Sequence, residues 1–306
     1  MKRFLIRIAV FFAILFAIDR VAGYTFSYMS KHAKGGYVGH HNYITDGVHE
    51  DILIFGSSRA IHHYNPQIFV DSLGLTCYNC GQDGNGILLY YGWWQIIKEH
   101  YKPQIIIYDI TTSFDLHVGE DNHKYLGWLK ELYDRENICE IFDAVDKTER
   151  FKMMSQMYRY NSKFHQIAAD FVYPIYRVKT NGFLPLQGEI DRMRIKKNIS
   201  NSPVKEVQFD SLKIEYLNKF IDEADGVKLI FTVSPMWYGI ATEQLSAIRE
   251  ICQRRNILFI DFSNAPKYVH NNEYFKDGSH LNARGADEFT RDLIHEIKRF
   301  GALSSP

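Results

Sequence analysis

Three residues, one near the start of the sequence and two near its end, carry the groups of an activated nucleophile. Phe55-Gly56-Ser57-Ser58 places a hydroxyl directly after an apolar, strand-like run, and Asp277-Gly278-Ser279-His280 sets a carboxylate and an imidazole three residues apart. A serine hydroxyl is a weak nucleophile at neutral pH. It needs a base within hydrogen-bond reach, and the base needs a third group to fix its tautomer. In a turn of helix or a tight loop, positions i and i+3 project to one side, so Asp277 can hold one nitrogen of His280 while the other faces Ser58. More than two hundred residues separate the serine from this pair, so only the fold can assemble the site.

The elements that must do so are legible as an alternation. Asp51–Phe55 is a short apolar strand ending at Gly56, and Asn65-Pro66 opens a helix that closes at Gly74. Leu75–Cys80 reads as a second strand, ended by the Gly81–Gly86 turn. A helix over 87–100 and a third strand over 104–109 follow. The rhythm breaks between about 114 and 207, which reads as a helical insertion with pieces near 124–134 and 147–172. It then returns as a helix over 209–224, a strand over 228–233, a helix over 243–255 and a strand over 257–261. Asn282 caps a last helix to about Phe300. This order predicts an α/β fold, a three-layer sandwich with a central parallel sheet. In such sheets ligands gather outside the carboxyl ends of the strands, where Ser58, Gly84, Thr111-Thr112 and His280 all fall.

The chain of 306 residues, 46% hydrophobic, is long enough to bury a large core, and 36 basic against 36 acidic residues leave no field that would draw polyanions, so nucleic acid is not an expected partner. Four cysteines make no disulfide framework, and the pair Cys77/Cys80 falls in a strand, where it reads as structural. His40-His41 and His62-His63 lack a carboxylate or cysteine at ligand spacing, so they read as packed or solvated rather than metal-binding. No metal or organic cofactor is expected. At the N-terminus, Lys2, Arg3 and Arg7 precede an apolar run from Ile8 to Ile18, the charge order of a signal anchor. Residues 1–22 are therefore expected to form a transmembrane helix, 23–50 an extended linker, and 51–306 an extracytoplasmic catalytic domain.

The blocks resemble those of the SGNH (GDSL-like) hydrolases. Ile54-Phe55-Gly56-Ser57-Ser58 is similar to the family's strand leading into Gly-Asp-Ser, with Ser57 in the Asp place. Asn79-Cys80-Gly81-Gln82-Asp83-Gly84 matches Asn-x-Gly-x-x-Gly, and Asp277-x-x-His280 matches the last block. The resemblance implies a flavodoxin-like fold and acyl-ester chemistry with Ser58 as nucleophile, His280 as base and Asp277 as its orienting group. It also implies an oxyanion hole from the backbone N–H groups of Ser58 and Gly84. The third block departs, because Tyr108-Asp109-Ile110-Thr111-Thr112-Ser113 has no asparagine to donate to the oxyanion. Losing one such donor costs about 3 kcal/mol, or ~100-fold in rate, unless a Thr or Ser hydroxyl substitutes.

Arg59 is a candidate contact for a substrate anion, or else a salt-bridge partner at the strand mouth, and the basic run Arg192–Lys197 is a solvated face or a candidate contact for an anionic polymer or lipid head groups. The Gly-Ser-Ser-Arg form beside an anchor resembles the envelope O-acetylation branch. That likeness implies an ester-bearing small molecule or envelope glycan as substrate. It leaves open an O-acyltransferase working with a multi-span membrane acyltransferase. A polysaccharide-binding protein that kept the fold without its chemistry is the reading of a different class.

Overall fold

The computed structural model describes residues 1–173, 180–191 and 207–301; the basic run Arg192–Lys197 lies outside them. In chain order the main elements are α1 (Lys2–His32), α2 (Gly36–Asp46), β1 (Ile52–Gly56), α3 (Ser58–His63), α4 (Pro66–Leu73), β2 (Cys77–Asn79), α5 (Ile87–Ile97), β3 (Ile105–Asp109) and α6 (Thr112–Asp115). They continue with α7 (Glu136–Val145), α8 (Glu149–Lys152), α9 (Phe164–Val172), α10 (Ser211–Glu223), β4 (Lys228–Val233), α11 (Ser246–Arg255), β5 (Leu258–Asp261) and α12 (Ala283–Arg299). Two compact units divide them: one of residues 1–47 and 122–176, the other of 48–121 and 177–306.

The second unit holds one five-stranded parallel sheet in the order β2-β1-β3-β4-β5. Every residue of β1 and β3 is buried, as runs such as Ile52-Leu-Ile-Phe55 require when helices cover both faces of a parallel sheet. Gly56 pairs with Asp109 and Asp109 with Thr232, so the carboxyl ends of β1, β3 and β4 are level. Strand order reverses between β1 and β3, which puts the loops after these two strands at the crevice where such sheets bind ligands. α12 lays Phe289, Leu293 and Ile297 into the core against β1 and β3 residues such as Ile54 and Ile107.

The caps follow the local sequence. Asn65 accepts from the Gln67 N–H at the start of α4, with Pro66 in its first turn, and Gly74 closes it at φ +69°. Asn282 accepts from the Gly285 N–H to open α12.

Gly56 makes the strand-to-helix turn at φ +138°, where an added Cβ would lie 2.7 Å from the Asp109 carbonyl oxygen and 2.9 Å from the Ala60 Cβ. Gly56→Ala is therefore expected to cost about 2–4 kcal/mol through strain and overpacking. Urea unfolding should show a lower midpoint at unchanged slope; a wild-type midpoint would contradict the steric argument.

In the first unit the structure corrects the expected anchor. No helix among the described residues is long and apolar enough to cross a membrane. α1 is 31 residues long, but its uncharged apolar run, Ile8–Ile18, is eleven residues against the ~20 a bilayer needs. The charges that end this run, Asp19 and Arg20, are fastened to protein. Asp19 accepts from the Ser155 hydroxyl and from the Gln156 and Met157 N–H groups at 2.9 and 3.1 Å, and Arg20 donates to the Met154 carbonyl at 2.6 Å. The transmembrane helix, and the extracytoplasmic placement derived from it, are not supported.

The expected extended linker over 23–50 is also different: α1 continues to His32, and α2 occupies Gly36–Asp46. Glycines that would weaken an isolated helix are there for close approach. A Cβ on Gly23 would meet Gln156 Cβ at 2.3 Å, and one on Gly36 would meet the Asp170 carboxylate at 2.0 Å. Asp170 in turn accepts from the Val38 N–H at 3.0 Å.

Candidate active site

Ser58 is the first residue of α3, raised at the carboxyl end of β1 by the Gly56 turn. Its Oγ lies 2.8 Å from His280 Nε2, across 222 residues of sequence. His280 Nδ1 lies 3.0 Å from both carboxylate oxygens of Asp277. The loop holds that carboxylate itself: Asp277 Oδ1 accepts from the N–H groups of Ser279 at 2.8 Å and His280 at 2.9 Å. Burial opposes the charge on Asp277, but the His280 hydrogen bond and charge and these two N–H groups outweigh it and hold the carboxyl below its usual range. With Asp277 accepting at Nδ1, that nitrogen carries the ring proton and Nε2 faces the serine as an acceptor. This is the arrangement needed to remove the Ser58 proton.

The pair opens onto a cavity of about 270 Å³. Its polar side comprises Ser57, Thr111, Thr112, Ser113 and Ser279, and Phe114, Met236 and Ile240 supply the apolar wall. Gly84, expected in the oxyanion hole, sits in the turn after β2 at φ +64° and is not among the residues lining the cavity.

The loop after β3, where the asparagine is missing, is tightly built. The Thr111 hydroxyl meets the Ser57 hydroxyl at 2.6 Å and accepts from Arg59 at 3.3 Å. The ammonium of buried Lys213 donates to the Ser113 and His117 carbonyls at 2.9 and 2.7 Å. Asp115 accepts from the Thr111 N–H at 2.7 Å and the Tyr108 hydroxyl at 2.8 Å.

Burial pushes the Asp115 carboxyl up to about 7. Between the ordinary value of 3.8 and about 7 the folded chain thus keeps a proton that the unfolded chain has lost. Stability contributed by this group falls as pH rises through that window, by about 4 kcal/mol at its upper end. Asp115→Asn, which keeps an acceptor oxygen, is expected to flatten the slope. Urea midpoints at pH 4.5 and 7.5 check it, and an unchanged wild-type difference in the variant would refute it.

Arg59 is 3% exposed. Its guanidinium donates to the Ile110 carbonyl and to the Ser234 carbonyl at 3.4 Å, and its Nε lies 3.7 Å from Asp109 Oδ2. These contacts tie the ends of β1, β3 and β4 together at the cavity, which Arg59 helps to line.

Asn79, of the second block, donates to the Ala60 and Tyr64 carbonyls at 2.7 and 2.9 Å and accepts from the Gly81 N–H, so it holds the end of α3. His62 contacts the Leu184 carbonyl at 2.6 Å through Nδ1, and its ring meets that of His280 edge to face at 5.5 Å.

Sequence reasoning passed over Asp109, Ser234 and His63 as parts of the site. The available signal was a carboxylate ending a strand that is otherwise wholly apolar, since such a group must be paired when buried.

No family model and no curated protein matches the chain. Among solved structures, one protein from Streptococcus pneumonia, provisionally named a platelet activating factor, is similar at 13% identity and a TM-score of 0.38, over 89% of this chain and 95% of that one. A second crystal structure is similar at 12% identity and a TM-score of 0.40, over 82% of this chain and 97% of that one. At this similarity neither bears on what the chain does.

Proposed function

We propose that this chain is a serine hydrolase of short-chain O-acyl esters, of SGNH type. The observation that carries the reading is the continuous contact from Ser58 Oγ through His280 to Asp277, with 2.8 Å and 3.0 Å links. Ser58 Oγ attacks the ester carbonyl as its proton moves to His280 Nε2, and Asp277 stabilises the imidazolium without taking its proton. His280 then returns the proton to the leaving alkoxide. Water, deprotonated by the same nitrogen, cleaves the acyl-serine and releases the acid. The N–H of Ser58, in the first turn of α3, has no carbonyl partner within its own helix and is free by geometry to face the developing oxyanion.

The cavity limits the acyl chain. About 270 Å³, walled by Phe114, Met236 and Ile240, holds a short acyl group and lies below the usual range for larger ligands. The sequence resemblance adds an O-acylated carbohydrate as the alcohol side of the substrate.

A series of p-nitrophenyl esters from acetate to octanoate tests the reading together with fluorophosphonate labelling followed by intact mass. A single adduct, and a kcat/KM at least tenfold higher for acetate than for octanoate, are expected. Absence of both adduct and turnover in the wild-type chain would refute it.

A further inference from the structure

α3 carries Ser58 at its start and His63 at its end, and His63 is fully buried against the far side of the catalytic loop. The N–H of Leu281, the residue after His280, donates to His63 Nε2 at 2.9 Å. An N–H can only donate, so Nε2 carries a lone pair and the ring proton sits on Nδ1. Nδ1 lies 3.0 Å from the Ser234 hydroxyl, which donates in turn to Asp109 Oδ2 at 3.0 Å. Asp109 is fixed from its other oxygen by the Ser234 N–H at 2.7 Å and the Tyr64 hydroxyl at 2.8 Å. Every proton in the chain Leu281–His63–Ser234–Asp109 therefore has one assignable place.

A doubly protonated His63 would set an Nε2–H against the Leu281 N–H. The surroundings oppose it as well: burial first, then the neighbouring His280, Arg59 and His62, hold the imidazole well below its ordinary range. The rings of His280 and Phe289 lie 6.2 and 6.5 Å from that of His63.

We propose that His63 is a positioning residue for the Ser58–His280 pair: locked as its Nδ1–H tautomer by Ser234 and Asp109, it holds the Leu281 backbone and with it the His280 imidazole. The nucleophile and the strut that places its base thus belong to one six-residue helix. Backbone displacement of about 1 Å at such a site lowers turnover on the order of 100-fold. The inference rests on the esterase reading above.

The test uses the full-length chain with p-nitrophenyl acetate as probe and two substitutions. His63→Phe keeps a ring but loses the acceptor; His63→Gln retains an oxygen near the place of Nε2. His63→Phe is expected to lower kcat about 100-fold with KM changed less than twofold. His63→Gln is expected to recover at least tenfold of that loss, which a purely space-filling role would not produce. In parallel, ¹⁵N spectra of the wild-type histidines should show His63 with a bare Nε2 and no titration between pH 5 and 8. This second readout decides the matter if His63→Phe does not fold. A folded His63→Phe with kcat within threefold of wild type, or a His63 that titrates or carries its proton on Nε2, would overturn the inference while leaving the esterase reading intact. A wild-type chain inactive on every ester would overturn both.

Discussion

Ser58→Ala is expected to lower kcat on p-nitrophenyl acetate by about 10⁴-fold or more and to remove the fluorophosphonate adduct, with the fold unchanged. The magnitude follows from the nucleophile and base acting as a unit. Without the Oγ that sits 2.8 Å from His280 Nε2, the imidazole has no serine proton to take, and residual rate comes only from binding and oxyanion contacts. Ser57→Ala separates the two adjacent serines. Ser57 is buried with its hydroxyl on Thr111 at 2.6 Å, so its loss should leave the adduct in place. An adduct that survives Ser58→Ala and disappears in Ser57→Ala would assign the nucleophile to the wrong residue here and discard the mechanism.

The second large effect concerns stability. Asp109→Ala is expected to destabilise the chain by about 3–5 kcal/mol, because it leaves a buried guanidinium without its counter-charge. Arg59 and Asp109 have side-chain exposures of 4% and 0%, so water cannot take the place of the lost carboxylate. The Ser234 N–H and the Tyr64 hydroxyl lose their acceptor at the same time. Burial alone pushes the Asp109 carboxyl up, and Arg59, Tyr64 and Ser234 work against that rise; the carboxylate and its partners therefore stand or fall together. Asp109→Asn retains an acceptor oxygen and should lose less. The check is the urea midpoint, and an Asp109→Ala midpoint equal to wild type would show that the network contributes nothing net.

Much of the sheet was legible because parallel strands covered on both faces must be unbroken apolar runs. Asp51–Phe55 and 104–109 fall within a residue of β1 and β3, and 228–233 coincides with β4. The caps at Asn65 and Asn282 were readable for a similar reason, since their side chains act on N–H groups two or three residues away. Ser58, His280 and Asp277 were found from their spacing, and the fold brings all three together.

What failed depended on distant partners. Residues 23–50 looked irregular because glycines such as Gly23 and Gly36 are poor helix formers, yet α1 and α2 pass through them where other chain segments press against the missing side chains. The stretches near 124–134 and 147–172 became short 3₁₀ turns and helices separated by bends, which no single period describes. The anchor was inferred from the order of charged and apolar residues, and the contacts of Asp19 and Arg20 with residues 154–157 could not be seen in it. His63 was read only as packed or solvated rather than metal-binding; it is buried, and its partner is a backbone N–H 218 residues away.

That separation has a consequence for how the protein is made. At a synthesis rate of 5–20 residues per second, the 222 residues between Ser58 and His280 correspond to roughly 10–45 s. During this interval the growing chain holds the proposed nucleophile without its base. Completion depends on α12, whose Thr290 hydroxyl accepts from the Asn65 N–H at 3.0 Å and shares its proton between the Ala286 and His63 carbonyls at 2.8 and 3.2 Å, while Asp287 accepts from the Asn65 amide at 2.8 Å. These bonds clamp the helix that follows His280 onto the end of the helix that begins with Ser58. On the proposed mechanism, a nascent chain can therefore have all five strands in hand and still be chemically silent, and the Ser58 hydroxyl gains its reactivity only when the last helix has docked.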